Sequence, residues 1–355
     1  MGDGRSKNLN RRYMLGLMAG IIGGCSVKHL MDPSTAIERM QKMPDWFEAI
    51  PEKRPGHPTV HELKIRADML IEAAAAGMLV YDWVPLNVTD RLTVFVMTDA
   101  LRFGNKESSI RFAVSAKTQQ RIADILGAYM LTPKLVDEVW KQSKKLNPHP
   151  QKISASKFAI LKHHEALEKE RDGHPGLISG WKDWCVGRTV FQRPTRAINY
   201  GWHVDTTSTS WKGIKLHSGV SAGKVIQPAA AAHGINHTDY SQLCRLVQKQ
   251  AFLDGNMVDL ATVVTDPAAA CLISTEGVLP GMRHPGIKEK HNATIEPAPI
   301  HLLMTQLGDK GAGVVVWQQH LIDAGYRDEL APWGADGDHG PATERATQLW
   351  RSSNV

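Results

Sequence analysis

Residues 91–140 read RLTVFVMTDALRFGNKESSIRFAVSAKTQQRIADILGAYMLTPKLVDEVW. The segments RLTVFVMTDAL (91–101) and SIRFAVSA (109–116) are rich in β-forming residues. A polar RFGNKES separates them, so the pattern predicts a hairpin. Ser115 then precedes AKTQQRIADILGAYM, and Thr132-Pro133 opens KLVDEVWKQSKKL. A hydroxyl that can accept an orphan amide, and a proline at the first helical position, both predict helix starts. Strands clustered with helices, without regular β-α alternation, predict an α+β fold.

Further elements flank this block on both sides. TVHELKIRADMLIEAAAAGMLVY (59–81) is expected to be helical, and the Pro-, Met- and charge-rich residues 26–58 are expected to form a tether. After the opening block, WKDWCVGRTVF, AINYGWHVD, GKVIQP and SQLCRLVQKQAFLDG are strand-like or loop-like, and MVDLATVVTDPAAACLI is helical in part. Gly and Pro near residues 280–300 mark a link. One mixed sheet-and-helix body is therefore expected over residues 59–295, with no internal repeat.

The chain has 355 residues, 42% hydrophobic and 22% charged, which allows a core of ordinary size. Its net charge of +6 is scattered. It fits a soluble basic protein or attraction to an anionic surface. No arginine-rich helix or zinc-finger spacing occurs, so nucleic acid is not an expected partner.

The N-terminus reads SKNLNRRYMLGLMAGIIGGCS (6–26). Lys7, Arg11 and Arg12 precede an apolar run, Tyr13 to Gly24, that is short for a bilayer span. Asn10 to Leu15 resembles a twin-arginine export motif, without the usual hydroxyl residue before the pair. Ile22-Gly23-Gly24-Cys25 resembles a bacterial lipobox, which implies lipidation of Cys25 and anchoring to a membrane. Residues 1–25 are thus expected to be an export signal. Three cysteines remain, Cys185, Cys244 and Cys271, so one disulfide would leave a thiol over.

At the other end, Val314, Trp317, Gln318, Leu321 and Ile322 recur at helical spacing, and Gly325 closes the helix. ADGDHG is a tight polar turn, Pro341 suits a first helical position, and Ala346, Leu349 and Trp350 form the next apolar stripe. Residues 301–355 resemble the peptidoglycan-binding repeat of bacterial cell-wall enzymes, with its W-Q-x-x-L-x-x-x-G-Y helix and D-G-x-F-G-P-x-T turn. The resemblance implies a small three-helix module and peptidoglycan as partner. His339 stands where the family carries an aromatic residue.

Much of residues 90–280 is similar to a group of exported bacterial proteins with no assigned chemistry. Trp181-Lys182-Asp183, Tyr200 to His203, Gln227-Pro228 and Asp239 to Val247 carry this likeness. It implies a single domain and supplies no reaction.

Three constellations compete for the chemistry. His203, His233, His237 and Asp239 form a pool of zinc ligands, since a catalytic zinc needs three such groups and a water. GWHVD resembles the W-H-x-E strand of zinc D-Ala-D-Ala peptidases, in a different order along the chain. The second is Ser241 to Arg245, which resembles the S-H-G-C-x-R motif of L,D-transpeptidases. That likeness implies Cys244 as nucleophile and an arginine for the donor carboxylate. The H-G pair is missing, and Arg245 sits one place early. In the third, Lys182, Asp183, Tyr200, Asp239 and Tyr240 form a buried polar network that positions strands.

The resulting expectation is a bacterial envelope protein, periplasmic, membrane-anchored or secreted, that binds peptidoglycan and acts on its peptide as a zinc-assisted hydrolase. His203, His233 and Asp239 are its catalytic candidates, and Tyr200, Trp202, Lys182 and Arg245 its binding candidates. The alternatives are a cysteine transpeptidase using Cys244 and a non-catalytic wall-binding scaffold.

Overall fold

The structure, a computed structural model, describes residues 45–54, 57–105, 108–152, 155–288, 307–310 and 312–353. The export signal and Cys25 lie outside the described residues. In chain order the principal strands are β1 (Trp83–Asn87), β2 (Leu92–Met97), β3 (Ala128–Met130), β4 (Lys182–Cys185), β5 (Arg196–Val204), β6 (Lys224–Gly234), β7 (Gln242–Leu243), β8 (Leu246–Leu253) and β9 (Asn256–Asp259). The principal helices are α1 (Val60–Ala75), α2 (Ala116–Ile125), α3 (Pro133–Gln142), α4 (Lys157–Arg171), α5 (Ala312–Leu321) and α6 (Pro341–Ser353). The fold is α+β, as the mixture of elements predicts.

Two five-stranded sheets frame the body. One runs β9-β8-β2-β1, with β3 pairing the first residues of β8. The other runs from a short edge strand, His217–Ser218, through β6, β5 and β4 to β7, and only the β4–β7 pair is parallel. Cys244 and Arg245 carry the chain from β7 in one sheet to β8 in the other. Leu101 N–H donates to Cys244 O at 2.7 Å, and Val186 N–H donates to Leu131 O at 2.9 Å, which ties the sheets together.

Every residue of β2 is buried, which accounts for its continuous apolar run. Its position corrects the predicted hairpin. β2 pairs with β1 and β8, whereas the hairpin is made by Arg102–Gly104 and Ser109–Arg111. Gly104 turns that hairpin at φ 126°, and a Cβ there would lie 2.2 Å from Ser108 O. Only glycine fits.

α2 and α3 start where their caps predict. Ser115 Oγ accepts from Thr118 N–H at 3.1 Å, and Thr132 Oγ1 accepts from Leu135 N–H at 3.2 Å. α1 is shorter than its apolar run: it stops before Gly77 (φ 72°), and Leu79–Val80 turns into a strand beside Arg102–Gly104. α4 has no counterpart among the elements expected from the sequence. Residues 26–44 of the expected tether lie outside the described residues, whereas its later part packs on the body: Phe47 and Ile50 are buried in the core and the Phe47 ring meets Phe112 edge-on at 5.9 Å.

The C-terminal module has its own small core of Trp317, Leu321, Leu330, Ala346 and Trp350. The two indoles meet edge-on at 5.6 Å. Gly325 breaks the first helical stretch at φ 98°, as expected of a closing glycine. Between α5 and α6 the described residues form a helical turn at Ile322–Tyr326 and a single further turn at Asp328–Leu330. No helix among the described residues is long and apolar enough to cross a membrane.

Candidate functional site

The stretch HGINHTDYSQLC (233–244) leaves the end of β6, turns, and enters β7. Asp239 organises the turn. Its Oδ1 accepts from Ser241 N–H (2.9 Å) and Ser241 Oγ–H (2.6 Å), and its own N–H donates to Gln242 Oε1 at 2.8 Å. Its Oδ2 stands 2.6 Å from Lys182 Nζ on β4. Burial raises the Asp239 carboxyl, but Lys182 and the Ser241 donors outweigh it and hold it below the usual carboxylate range. The Lys182 ammonium also sits 4.7 Å from the centre of the Trp202 ring. Lys182 and Trp202, both expected to bind ligand, are therefore buried and engaged inside the fold.

His233 and His237 do come together. Gly234 O accepts from His237 N–H at 3.0 Å, and this turn stacks the imidazoles at 4.0 Å with planes 8° apart. Trp184 meets both edge-on. A zinc ion sits about 2.0–2.1 Å from a ligating nitrogen, in the plane of the ring. Two nearly parallel planes at this separation share no such point. His203 is farther still: His233 pairs with Ala197 in the β5–β6 register, six residues from His203, roughly 20 Å along the strand. The expected ligand pool is thus divided into a stacked pair, a salt-bridged Asp239 and a distant His203. Among the described residues, no three His, Cys, Asp or Glu side chains form a group that could hold a metal ion. The residues present do not fit a catalytic zinc in this arrangement.

His203 has a different partner, one that no motif in the sequence singles out. Asp137 on α3 accepts from His203 Nε2 at 2.7 Å and Tyr200 Oη–H at 2.5 Å, through one carboxylate oxygen. Its other oxygen accepts from the backbone N–H of Ser221 (2.5 Å) and Ala222 (2.9 Å) and from Ser221 Oγ–H (3.1 Å). Tyr200 Oη in turn accepts from Val220 N–H at 2.8 Å, and the His203 ring stacks on Trp140 at 5.1 Å. The cluster fastens α3, β5 and the 217–224 turn to one carboxylate. Tyr200 therefore belongs to a network around Asp137, separate from the Lys182–Asp239 pair with which the expected polar network groups it.

Cys244 and Arg245 lie between the sheets. Cys244 is fully buried, and burial together with the Asp183 charge pushes its thiol well above the ordinary range. A nucleophilic cysteine needs the thiolate, which this setting disfavours. Arg245 donates from Nη2 to Ile178 O at 2.5 Å and lies over the Trp181 ring at 4.4 Å. Neither residue is placed to meet a peptide. The three body cysteines are all free, and only Cys271 is exposed.

In the C-terminal module, Gln318 locks the D-G-x-x-G turn. Its Nε2 donates to Asp336 Oδ1 (2.7 Å), Asp338 O (3.0 Å) and Thr343 Oγ1 (2.9 Å), while its Oε1 accepts from Gly337 N–H (2.8 Å). Trp317 Nε1–H donates to Thr347 Oγ1 at 2.8 Å. The departure at His339 is accommodated by burying the imidazole, with Nε2 3.1 Å from Glu344 Oε2 on α6. Trp333, next to the turn, is 66% exposed, and no sequence pattern marks it. An indole face open to water beside a rigid turn can stack on a sugar ring.

Scans against protein-family models, curated proteins and solved structures return no match for this chain.

Proposed function

We propose that the protein is an exported bacterial envelope protein that binds peptidoglycan through residues 301–355, and that its body is a binding domain without hydrolase or transpeptidase chemistry. The observation that carries the reading is the Gln318 lock on the Asp336–His339 turn, beside the open face of Trp333. It gives a chemical role to Gln318, Asp336, Gly337 and Thr343 of the W-Q and D-G-x-x-G-P-x-T pattern. The scaffold reading gains from the engagement of the candidate catalytic groups elsewhere. Asp239 is committed to Lys182, His203 to Asp137, and Cys244 is enclosed in apolar core. Export through residues 1–25, with lipid attachment at Cys25, completes the proposal.

The test is to incubate the full chain with insoluble purified peptidoglycan, sediment it, and analyse the supernatant by mass spectrometry. Protein in the pellet and no wall fragments in the supernatant is the expected result. Protein left in solution would overturn the binding claim, and released peptides would restore the hydrolase.

A further inference from the structure

Lys182 Nζ and Asp239 Oδ2 meet at 2.6 Å with both residues buried, and they stand 57 positions apart in the chain. Lys182 lies on β4 and Asp239 in the turn that enters β7, so the contact braces the parallel β4–β7 pair. Three features equip it for more than charge pairing. The first concerns the other carboxylate oxygen. Oδ1 accepts from Ser241 Oγ–H at 2.6 Å and from Ser241 N–H at 2.9 Å, while Oδ2 faces the ammonium. Two fixed donors on one oxygen stabilise the negative charge it carries when a nucleophile adds to Cγ. The second is the aromatic cover on the amine. The Trp202 ring centre lies 4.7 Å from Nζ, and the Tyr240 ring lies 6.2 Å from that of Trp202. The third is backbone strain at the same place. Trp202 holds φ 55°, and Gly201, which pairs with Lys182, holds φ 128° with the site of a Cβ 2.7 Å from Trp181 O. A bulky residue in the left-handed region persists only where its surroundings fix it, and such residues gather at reactive sites.

We propose that Lys182 and Asp239 condense into an intramolecular isopeptide bond. The ion pair is the unreacted form. One proton passes from Nζ to Oδ2 across the short contact, which leaves a neutral amine and a neutral carboxyl. The Nζ–Cγ bond then forms, the Cγ–Oδ2 bond breaks, and a second Nζ proton departs with Oδ2 as water. Nothing is oxidised or reduced, and no co-reactant enters. In bulk water the reverse reaction, hydrolysis, wins. Well-oriented intramolecular partners reach effective concentrations of about 10⁵–10⁸ M, far above that of water, and burial keeps water from the product. Condensation also removes two buried charges whose desolvation is costly. The product carbonyl keeps both Ser241 donors, so its remaining oxygen stays paired. The three body cysteines are free, and this amide would be a covalent brace between β4 and the entry to β7. The proposal does not depend on wall binding.

The test is a peptide map of the full chain, denatured after incubation at neutral pH and digested with trypsin. The expected product joins residues 172–188 to residues 225–245, uncut after Lys182 and lighter than the two peptides together by one water. Fragmentation should place the link between Lys182 and Asp239. Lys182→Met and Asp239→Ala should each abolish it. Ser241→Ala keeps both reacting groups and should slow the appearance of the link in freshly synthesised chain at least tenfold. The wild-type map decides the matter even where a variant fails to fold. Separate wild-type peptides of full mass, cut after Lys182, would overturn the proposal, and so would a link that persists in Lys182→Met.

Discussion

His203 Nε2 lies 2.7 Å from Asp137 Oδ1, with both side chains buried, and the same carboxylate oxygen takes the Tyr200 hydroxyl hydrogen at 2.5 Å. Burial pushes the Asp137 carboxyl up, but the donors from His203, Tyr200 and Ser221 outweigh it and keep the group ionised below its ordinary range. Removing this carboxylate leaves several buried donors unpaired at once. Asp137→Ala should destabilise the chain by roughly 3–5 kcal/mol, the scale for breaking a buried pair. Urea unfolding measures it, and a loss under about 1 kcal/mol would show that the cluster is not structural.

A second buried histidine contributes to the loss of stability in acid. His163 on α4 meets the Tyr240 ring edge-on at 5.3 Å, and its Nε2 has no hydrogen-bond partner among the described residues. Burial, aided by His149 and Arg111, lowers it to about 3. A depressed folded-state value means that the unfolded chain takes up the proton first. The stability is therefore present above about pH 6.5 and is lost as pH falls toward 3. Between pH 7 and 5 this one group should withdraw about 2 kcal/mol. His163→Leu should flatten that limb of the urea midpoint against pH, and an unchanged limb would assign the loss to other groups.

Thiol reactivity separates the cysteine transpeptidase from a non-catalytic binding body. Cys185 and Cys244 are buried with thiols pushed well above the ordinary range, whereas Cys271 is exposed. Under native conditions at neutral pH, iodoacetamide should modify Cys271 and spare the other two. Urea should release all three. Rapid native labelling of Cys244, read by peptide mass spectrometry, would contradict its placement.

The module should fail as a unit when its core is cut. Trp350→Ala removes a 7%-exposed indole that packs on Trp317, at a cost of roughly 3–5 kcal/mol if the site does not collapse. Gln318→Ala should loosen the 336–339 turn by leaving Gly337 N–H unpaired, costing roughly 1–3 kcal/mol. Tryptophan fluorescence during unfolding of the full chain reports both.

How much is legible in the sequence depends on how local the physics is. Ser115 and Thr132 announce their helices because a cap is made within three residues. α4 is silent because only Ala159, Ile160, His163 and Leu167 are buried, leaving a narrow stripe among charged positions. β6 can be traced only to Pro228, since Ala229 to Ala232 have little strand preference and are paired there by their neighbour β5. At the site, the stacking of His233 on His237 lies within one turn. The partner of His203 is 66 residues away on α3, beyond any spacing rule. In the module the helical spacing of Trp317 and Leu321 and the polar turn are legible locally, whereas Gln318 reaches Gly337 and Thr343 across 19 and 25 residues, which no spacing rule connects.

The most direct test of wall binding is the fraction of full-length chain retained on peptidoglycan when Trp333 is replaced by alanine. Trp333 is 66% exposed and outside the module's core, so Trp333→Ala should leave the unfolding curve unchanged. If Trp333 stacks on the wall sugars, this folded variant loses at least tenfold in apparent affinity for the wall while the wild-type chain sediments with it. Equal retention of the two proteins, or no retention of either, would contradict wall binding through this face.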